Sequence, residues 1–177
     1  LPALFPEHGM FREQVRRVCQ RSSALIAISE CTKQDLIELM DVEPERIHVV
    51  YPGQNCDAQR LGPDQIAAVL AQHRIDRPYV LYVGSLGPHK NVTTLLRAYE
   101  QARLAKKVSA ALVLAGGTEW GEETLAVLES LKVKEDVIVT GFVQDEDLSG
   151  LYAGAELFVF PSLYEGFGLP VLEAMAY

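Results

Sequence analysis

The stretch that decides the fold is Tyr79-Val-Leu-Tyr-Val-Gly-Ser-Leu-Gly-Pro-His-Lys-Asn91. Its first five residues form a continuous apolar run, which is typical of a strand buried on both faces. A glycine-containing turn follows, and beyond it apolar residues recur at the spacing of an amphipathic helix: Val92, Leu95, Leu96 and Tyr99. The stretch therefore predicts one strand–loop–helix unit of an α/β protein.

The same unit recurs towards the C-terminus. Strands are predicted at Ala111–Ala115 and Val137–Val139, and a further unit begins with a strand at Leu157–Phe160. The helices between them are predicted around Leu125, Leu128 and Leu131, and around Leu148, Leu151 and Tyr152. Consecutive units of this kind pack as a doubly wound, Rossmann-like parallel sheet, whose ligands bind beyond the carboxyl ends of the strands. We therefore expect the functional residues in loops 84–90, 116–121 and 161–170.

Shorter elements precede this sheet. We expect one helix, beginning with the capping-box pattern Thr32-Lys-Gln-Asp35, between strands at Ala24–Ile28 and Ile47–Tyr51. The polar, turn-rich segment Gln54–Gly62 is the best candidate for a linker between two structural units. Pro63 then suits the first position of a new helix.

Composition excludes several classes of protein. The 177 residues carry 16 Lys and Arg against 24 Asp and Glu, a net charge of −8, which argues against a general nucleic-acid binder. The three cysteines, Cys19, Cys31 and Cys56, form no CxxC pair, so we expect neither a zinc site nor a disulfide framework but reduced thiols in a cytoplasmic compartment. Apolar runs fall short of the roughly 18 residues of a membrane span. Because the chain begins at Leu1 and stops within a helical pattern, we expect it to be an excerpt of a longer protein.

The loop that ends in Lys90 has the chemistry of a phosphate site. Gly84 and Gly87 shape a strand-to-helix turn, and a helix N-terminus with a lysine beside it attracts anions. The loop matches neither the GxGxxG nor the GxxxxGK[ST] pattern, so the dinucleotide and Walker interpretations fail. On spacing alone, a phosphate ligand and a solvated surface lysine remain equally well supported for Lys90.

The loop after the last strand combines two glycines and two carboxylates. Gly166 and Gly168 allow a close approach of the backbone to a ligand, and Pro170 suits the first helical position. Glu165 and Glu173 are separated by seven residues, so both carboxylates can accept hydrogen bonds from the hydroxyls of one bound polyol. Taken singly, Glu173 could instead be a helix-dipole residue and Glu165 a surface charge.

These residues resemble a known family. Tyr-Glu-Gly-Phe-Gly-Leu-Pro-Val-Leu-Glu-Ala-Met-Ala, residues 164–176, is similar to the E-x7-E motif of the group 1 glycosyltransferases, family 4 of the retaining GT-B transferases. Further resemblances occur in the family's order: residues 84–91 resemble its diphosphate-binding turn, Ala115–Gly117 a second donor-side loop, and Thr140–Val143 with Asp147-Leu148 its approach to the nucleotide. Upstream, Phe5–Glu7, Ala27–Glu30 and Val49–Gly53 resemble the end of its acceptor domain.

The resemblance implies a role for each matching residue. Lys90 would bind the donor diphosphate, Glu173 the ribose hydroxyls, and Glu165, the one residue assigned to catalysis, the hydroxyls of the transferred sugar. The remaining donor-binding residues would be Gly84, Ser85, Gly116, Phe167, Gly168 and Leu169. Many members carry an arginine near the position of Ser85, so this chain has one cation fewer at its diphosphate site. His89 occupies a position where arginine is common in the family, and it either helps to bind the donor diphosphate or has no role in binding.

The resemblance also implies an activity and a domain organisation. The reaction would be retaining transfer of a hexose, of mannose or glucose type, from a nucleotide diphosphate sugar such as GDP-mannose or UDP-glucose to a carbohydrate or lipid-linked acceptor. No cofactor and no metal are expected, since Asp145-Glu-Asp147 fits helix-capping charge better than a metal motif.

Residues 1–55 would belong to the acceptor-side domain, 56–76 to a linker and helix, and 77–177 to the donor-binding domain. Peripheral membrane association of the parent protein is compatible with this assignment, whereas nucleic acid is not an expected partner. We expect the 177 residues alone to lack transferase activity, because most of the acceptor side is missing.

Three alternatives stay open at the level of sequence. A glycosidase could use Glu165 and Glu173 as its carboxylate pair and would release sugar with water alone. A GT-B-like epimerase would share the nucleotide site and isomerise the nucleotide sugar without an acceptor. A non-catalytic nucleotide-sugar binding module would show no acceptor-dependent turnover.

Overall fold

The computed structural model describes residues 8–53, 61–117 and 121–177. By their internal contacts the residues form two units: Leu1–Gln54 with Glu165–Gly168, and Asn55–Tyr164 with Leu169–Tyr177. Phe5–Glu7, Cys56 and most of the expected linker lie outside the described residues. The assignment of segments 1–55, 56–76 and 77–177 to an acceptor side, a linker and a donor side stays a prediction.

In its described residues, the first unit is built on two parallel strands and two helices. Its elements are α1 (His8–Arg21), β1 (Leu25–Ala27), α2 (Glu30–Met40) and β2 (Ile47–Val49). Leu25 pairs with Ile47 and Ala27 with Val49. Both strands are shorter than predicted, and α1 was not predicted. The buried face of α1 is narrow: Val15 and Cys19 pack into the core, whereas Met10 and other large apolar side chains of this helix are exposed.

Helix α2 begins earlier than its sequence pattern predicts. Ser29, in extended conformation, is the N-cap, and its hydroxyl oxygen accepts a hydrogen bond from the Thr32 amide at 3.0 Å. Thr32 therefore lies inside the first turn, and the capping-box assignment that started the helix there was wrong. Serine takes this position because its side chain satisfies an amide that has no partner within the helix.

The described part of the second unit is a four-stranded parallel sheet with helices on both faces. Its elements are α3 (Pro63–Gln72), β3 (Tyr79–Val83), α4 (Val92–Leu104), β4 (Ala111–Ala115), α5 (Glu122–Ser130), β5 (Val137–Gly141), α6 (Asp145–Gly154), β6 (Leu157–Phe158) and α7 (Leu169–Met175). Tyr79, Leu81 and Val83 of β3 pack in one core with residues of α3 and α6. Tyr82 faces the opposite core, which α4 and α5 cover. The two central strands, β3 and β4, are therefore buried on both faces, as their apolar runs predict.

The order of the strands creates a switch point in this sheet. The order is β5-β4-β3-β6, so β3 pairs with β4 on one side and with β6 on the other. At such a switch point the connections that follow the two neighbouring strands run in opposite directions. The loops after these strands therefore diverge and leave a crevice between them. The switch point thus selects the loops after β3 and β6 as the place for a ligand.

Several predicted boundaries need correction. Strand β5 continues to Gly141, because a register shift at Leu114/Ala115 brings Ala115 opposite Gly141. Strand β6 is shorter than predicted, although the Val159 amide still donates to the Leu81 carbonyl at 2.8 Å. Helix α7 begins at Leu169, so Pro170 takes its second position rather than its first. Among the described helices, none is long and apolar enough to span a membrane.

Candidate functional site

The loop after β3 is held by hydrogen bonds to its own backbone. The buried Tyr82 hydroxyl donates to the Ser85 carbonyl at 2.6 Å, while the Ser85 side chain is exposed. Residues Pro88–Lys90 then form a single 3-10 turn in which the Lys90 amide donates to the Gly87 carbonyl at 2.9 Å. The loop therefore presents Lys90 from an ordered turn immediately before helix α4.

Two strand-end loops meet at glycines. The Gly84 amide donates to the Ala115 carbonyl and the Gly116 amide to the Gly141 carbonyl, each at 2.9 Å. A Cβ atom on Gly116 would lie 2.0 Å from the Gly84 carbonyl oxygen, and its φ of +144° is one that other residues rarely adopt. Gly116, expected as a donor-side residue, thus has a structural reason to be glycine. Residues 118–120 of the same loop lie outside the described residues.

Lys90 lies at the switch point. Its side chain is partly buried, and its ammonium nitrogen lies 5.8 Å from the centroid of the Phe160 ring, in the segment after β6. This is within the range of a cation–π contact. The ammonium therefore lies against the segment after β6, at the switch point where sheets of this type bind their ligands.

The loops after β3 and β6 are joined on both sides of Lys90. The Leu163 amide donates to the His89 carbonyl at 2.8 Å. The Asn91 side-chain amide donates to the Pro161 carbonyl at 3.1 Å. Both bonds connect the same two segments, so the loops after β3 and β6 are held together by the residues on either side of Lys90.

Glu173 is held by a buried tyrosine. The Tyr152 hydroxyl on α6 donates to Oε2 of Glu173 on α7 at 2.8 Å, and Tyr152 is 7% exposed. Burial raises the pKa of the Tyr152 phenol above its ordinary value of 10.0, and the hydrogen bond to Glu173 raises that pKa further. The Tyr177 ring stacks on Tyr152, with centroids 5.7 Å apart. The neutral phenol is therefore a fixed donor that orients the Glu173 carboxylate.

Replacing Tyr152 with Phe should change how stability depends on pH. Above about pH 10 the unfolded chain loses the phenol proton while the folded chain keeps it, so the free energy of unfolding falls by up to about 1.4 kcal/mol per pH unit for each such phenol. Tyr79, whose pKa burial also raises, adds its own share. We expect a shallower alkaline decline for Tyr152→Phe than for the wild type in urea unfolding between about pH 9 and pH 11. Equal slopes for the two proteins would contradict this linkage.

Four residues of the glutamate motif belong to the first unit. Residues 165–168 group with it, and there the Thr32 hydroxyl donates to the Gly166 carbonyl at 3.3 Å. The Phe167 ring lies 6.0 Å from that of Tyr51. Gly168 has a φ of +96°, which favours glycine. Glu165 and Glu173 are thus described in separate units, and their joint role stays a prediction.

The predicted site residues fall into three groups. Gly84, Ser85, Lys90 and Gly116 lie in adjoining loops at the carboxyl ends of β3 and β4. Leu169 and Glu173 lie on α7, and Glu165, Phe167 and Gly168 lie in the first unit. Sequence reasoning assigned no role to Tyr152 beyond helix packing, although a buried tyrosine hydroxyl usually has a polar partner. The roles of all these residues in binding a donor remain predictions.

Asp147 of the segment Asp145–Asp147 takes part in helix packing. The segment occupies the first turn of α6, and Oδ2 of Asp147 accepts from Gln72 Nε2 at 2.7 Å. The same oxygen lies 3.1 Å from Nε2 of His73 at the end of α3. Within the described parts of the chain, no three His, Cys, Asp or Glu side chains are grouped as metal ligands. Independence from metal stays a prediction.

Comparison with known sequences assigns both parts of the chain. Residues 68–177 match the family model described as Glycosyl transferases group 1, and residues 2–58 match that described as Glycosyltransferase Family 4. O-antigen chain mannosyltransferase B of Escherichia coli is 34% identical over 154 residues, which are 86% of this chain and 40% of that protein. The MMP alpha-(1->4)-mannosyltransferase of Mycolicibacterium hassiacum is 31% identical, over 94% of this chain and 38% of that protein. The chain thus spans less than half the length of these relatives.

Solved structures show the same fold. Anabaena Alr3699/HepE, crystallised with UDP and glucose, aligns with a TM-score of 0.78 at 24% identity, over 97% of this chain and 48% of that one. The lipopolysaccharide-biosynthesis glycosyltransferase WaaG aligns with a TM-score of 0.71 at 23% identity, over 88% of this chain and 43% of that one. The Rossmann-like α/β class predicted from sequence is confirmed as that of the GT-B glycosyltransferases. The chain belongs to the group 1, family 4 glycosyltransferases.

Proposed function

We propose that this chain forms the donor-binding part of a retaining hexosyltransferase. The reaction moves a hexose of mannose or glucose type from a nucleotide diphosphate sugar to a carbohydrate or lipid-linked acceptor. The mannosyltransferase relatives and the UDP-bound neighbour support a nucleotide-sugar donor. UDP-glucose and GDP-mannose are the two donors to be tested.

The observation that carries the proposal is the position of Lys90 at the switch point. When the sugar leaves, negative charge develops on the nucleoside diphosphate, and the reaction accelerates only if that charge is stabilised. Lys90 supplies a positive charge in the crevice between the loops after β3 and β6, where α/β sheets bind their ligands. A lysine in such a place can perform the electrostatic work without a metal ion.

Each further residue has a proposed task. Glu173 accepts hydrogen bonds from the ribose hydroxyls, and its other partner, Tyr152, fixes the carboxylate for this purpose. Glu165 binds hydroxyls of the transferred sugar, while the backbone of residues 167–169 meets the sugar and phosphate oxygens. Ser85 leaves the diphosphate with one cation fewer than in many relatives. The charge of Lys90 is accordingly the more important in this chain.

Replacing Glu173 with Gln tests the ribose assignment. The variant should bind UDP and GDP about 5- to 30-fold more weakly in calorimetry, since a charged acceptor becomes a neutral one. Its affinity for the 2′,3′-dideoxy forms of the same nucleotides should hardly change, because these lack the hydroxyls that the carboxylate would accept. Glu129→Gln, at an exposed glutamate on α5, is the matched control and should leave both affinities unchanged.

Two outcomes would contradict the proposal. If the wild-type chain binds neither UDP nor GDP, it lacks the proposed donor site. If Glu173→Gln weakens the dideoxy nucleotides as much as the normal ones, the carboxylate does not act on the ribose. Glu165→Gln serves as a comparison and should reduce only the additional affinity for UDP-glucose or GDP-mannose over the free diphosphate.

A further inference from the structure

Asn91 has an unusual backbone conformation for a residue that begins a helix. Its φ of 57° and ψ of 31° are left-handed, and it is the N-cap of α4. An N-cap asparagine usually adopts an extended conformation and accepts a hydrogen bond from an amide of the first turn. Here the side chain makes no such bond to the helix. The side-chain amide is therefore available for another task.

That task is a link to the opposite loop. Nδ2 of Asn91 donates to the Pro161 carbonyl at 3.1 Å, and both residues are partly buried. The Asn91 amide donates to the Pro88 carbonyl at 3.1 Å, which closes the turn that carries Lys90. Asn91 thus follows the turn Pro88–Lys90, begins helix α4 as its N-cap, and connects both to the segment after β6.

This arrangement constrains Lys90 from both neighbours. The His89 carbonyl accepts a hydrogen bond from the Leu163 amide, and the Asn91 side chain donates one to the Pro161 carbonyl. Phe160, over which the lysine ammonium lies, immediately precedes Pro161. If the Asn91 bond is lost, the turn that carries Lys90 loses one of the two described hydrogen bonds between it and the opposite loop.

We propose that Asn91 is a positioning residue for the diphosphate site, which holds the Lys90 ammonium in the switch-point crevice through its bond to the Pro161 carbonyl. The inference rests on the proposed function, since it assigns to Lys90 the donor diphosphate. It adds a residue that acts through Lys90 and touches no ligand itself. Preorganisation of this kind strengthens binding because the charge need not be ordered when the ligand arrives.

Asn91→Gly separates the side-chain link from the backbone conformation. Glycine adopts the left-handed conformation without strain, so the variant keeps the backbone turn and loses only the side-chain amide. We expect an approximately 3- to 30-fold weaker affinity for UDP and GDP, with nearly unchanged affinity for uridine and guanosine, in calorimetry of the 177-residue chain. Lys106→Gly, at another left-handed residue beyond the opposite end of α4, is the matched control and should change neither affinity.

A double-mutant cycle tests whether Asn91 affects UDP affinity through Lys90. In the Lys90→Ala background, Asn91→Gly should weaken UDP binding by less than about twofold, because the group that it positions is gone. Additive losses would overturn the inference, and so would a single variant that binds UDP like the wild type. A merely structural role would lower the melting temperature and the fraction of binding-competent protein, without separating UDP from uridine.

The cycle also distinguishes the inference from the function on which it rests. If Lys90→Ala leaves UDP and GDP affinity unchanged, the proposed diphosphate site is wrong, and the positioning role fails with it. If Lys90→Ala weakens both nucleotides but Asn91→Gly does not, the diphosphate site stands and the positioning role alone is wrong.

Discussion

Replacing Lys90 with Ala is expected to weaken the binding of UDP and GDP by about 1.5–3 kcal/mol, or roughly 10- to 150-fold, the range for a hydrogen bond to a charged group. The binding of uridine and guanosine should hardly change, because the nucleoside carries no phosphate. The loss follows from the place of the ammonium in the crevice after β3 and β6. Isothermal titration calorimetry with each nucleotide and its nucleoside measures the difference directly.

Lys107→Ala is the matched control for this experiment. Lys107 is an exposed lysine beyond the far end of helix α4, so its removal changes the net charge equally and leaves the crevice intact. We expect wild-type affinities for this variant. Equal losses of nucleotide and nucleoside in Lys90→Ala would indicate damage to the fold and would remove the support for a diphosphate site.

A methyl group on Gly116 is expected to cost about 3 kcal/mol or more of folding free energy. The new Cβ would lie 2.0 Å from the Gly84 carbonyl oxygen and 2.8 Å from its carbonyl carbon. Both are backbone atoms of the neighbouring loop, so no side-chain rotation relieves the clash, and the φ of +144° adds strain. Urea unfolding of Gly116→Ala should therefore show a much lower midpoint than the wild type.

The adjacent glycine offers a close comparison. A Cβ atom on Gly117 meets no atom of the described residues within 4 Å, so Gly117→Ala should unfold within about 1 kcal/mol of the wild type. The two variants thus differ in the clash of the added methyl group and in the strain of the φ at which it is placed. Equal midpoints for the two alanine variants would show that the loops after β3 and β4 do not approach each other as described.

The buried strands were the most predictable part of the fold. Strands β3 and β4 have the bounds that their apolar runs predict, and α3 begins at Pro63 as predicted. In these segments local composition and tertiary burial favour the same structure, so pattern and fold agree. The candidate crevice followed from the same argument, because a parallel sheet of this type binds ligands beyond the carboxyl ends of its strands.

What sequence reasoning missed depends on partners distant in the chain. Nothing near Tyr152 indicates that its hydroxyl meets Glu173, and nothing near Asn91 indicates a bond to Pro161. Helix α1 was missed because its buried face is narrow, and the N-cap of α2 because two hydroxyl residues compete for it in the sequence. The contact of Thr32 with Gly166 likewise joins residues that no local pattern relates.

The strand order has a kinetic consequence. Strand β4 follows β3 after one helix, but β6, the other neighbour of β3, comes latest in the chain among the four described strands. Val80 can therefore pair with Leu157 only after β4 and β5 have been synthesised. Closing a longer loop costs more entropy, and contacts between distant residues slow folding. The crevice around Lys90 is walled by the segment that follows β6, so during synthesis it cannot exist before that segment has left the ribosome. Nucleotide binding would then report that β6 and the segment after it have joined the sheet, since a nascent chain that ends before Leu157 has β3 and β4 but lacks the loop on the other side of Lys90.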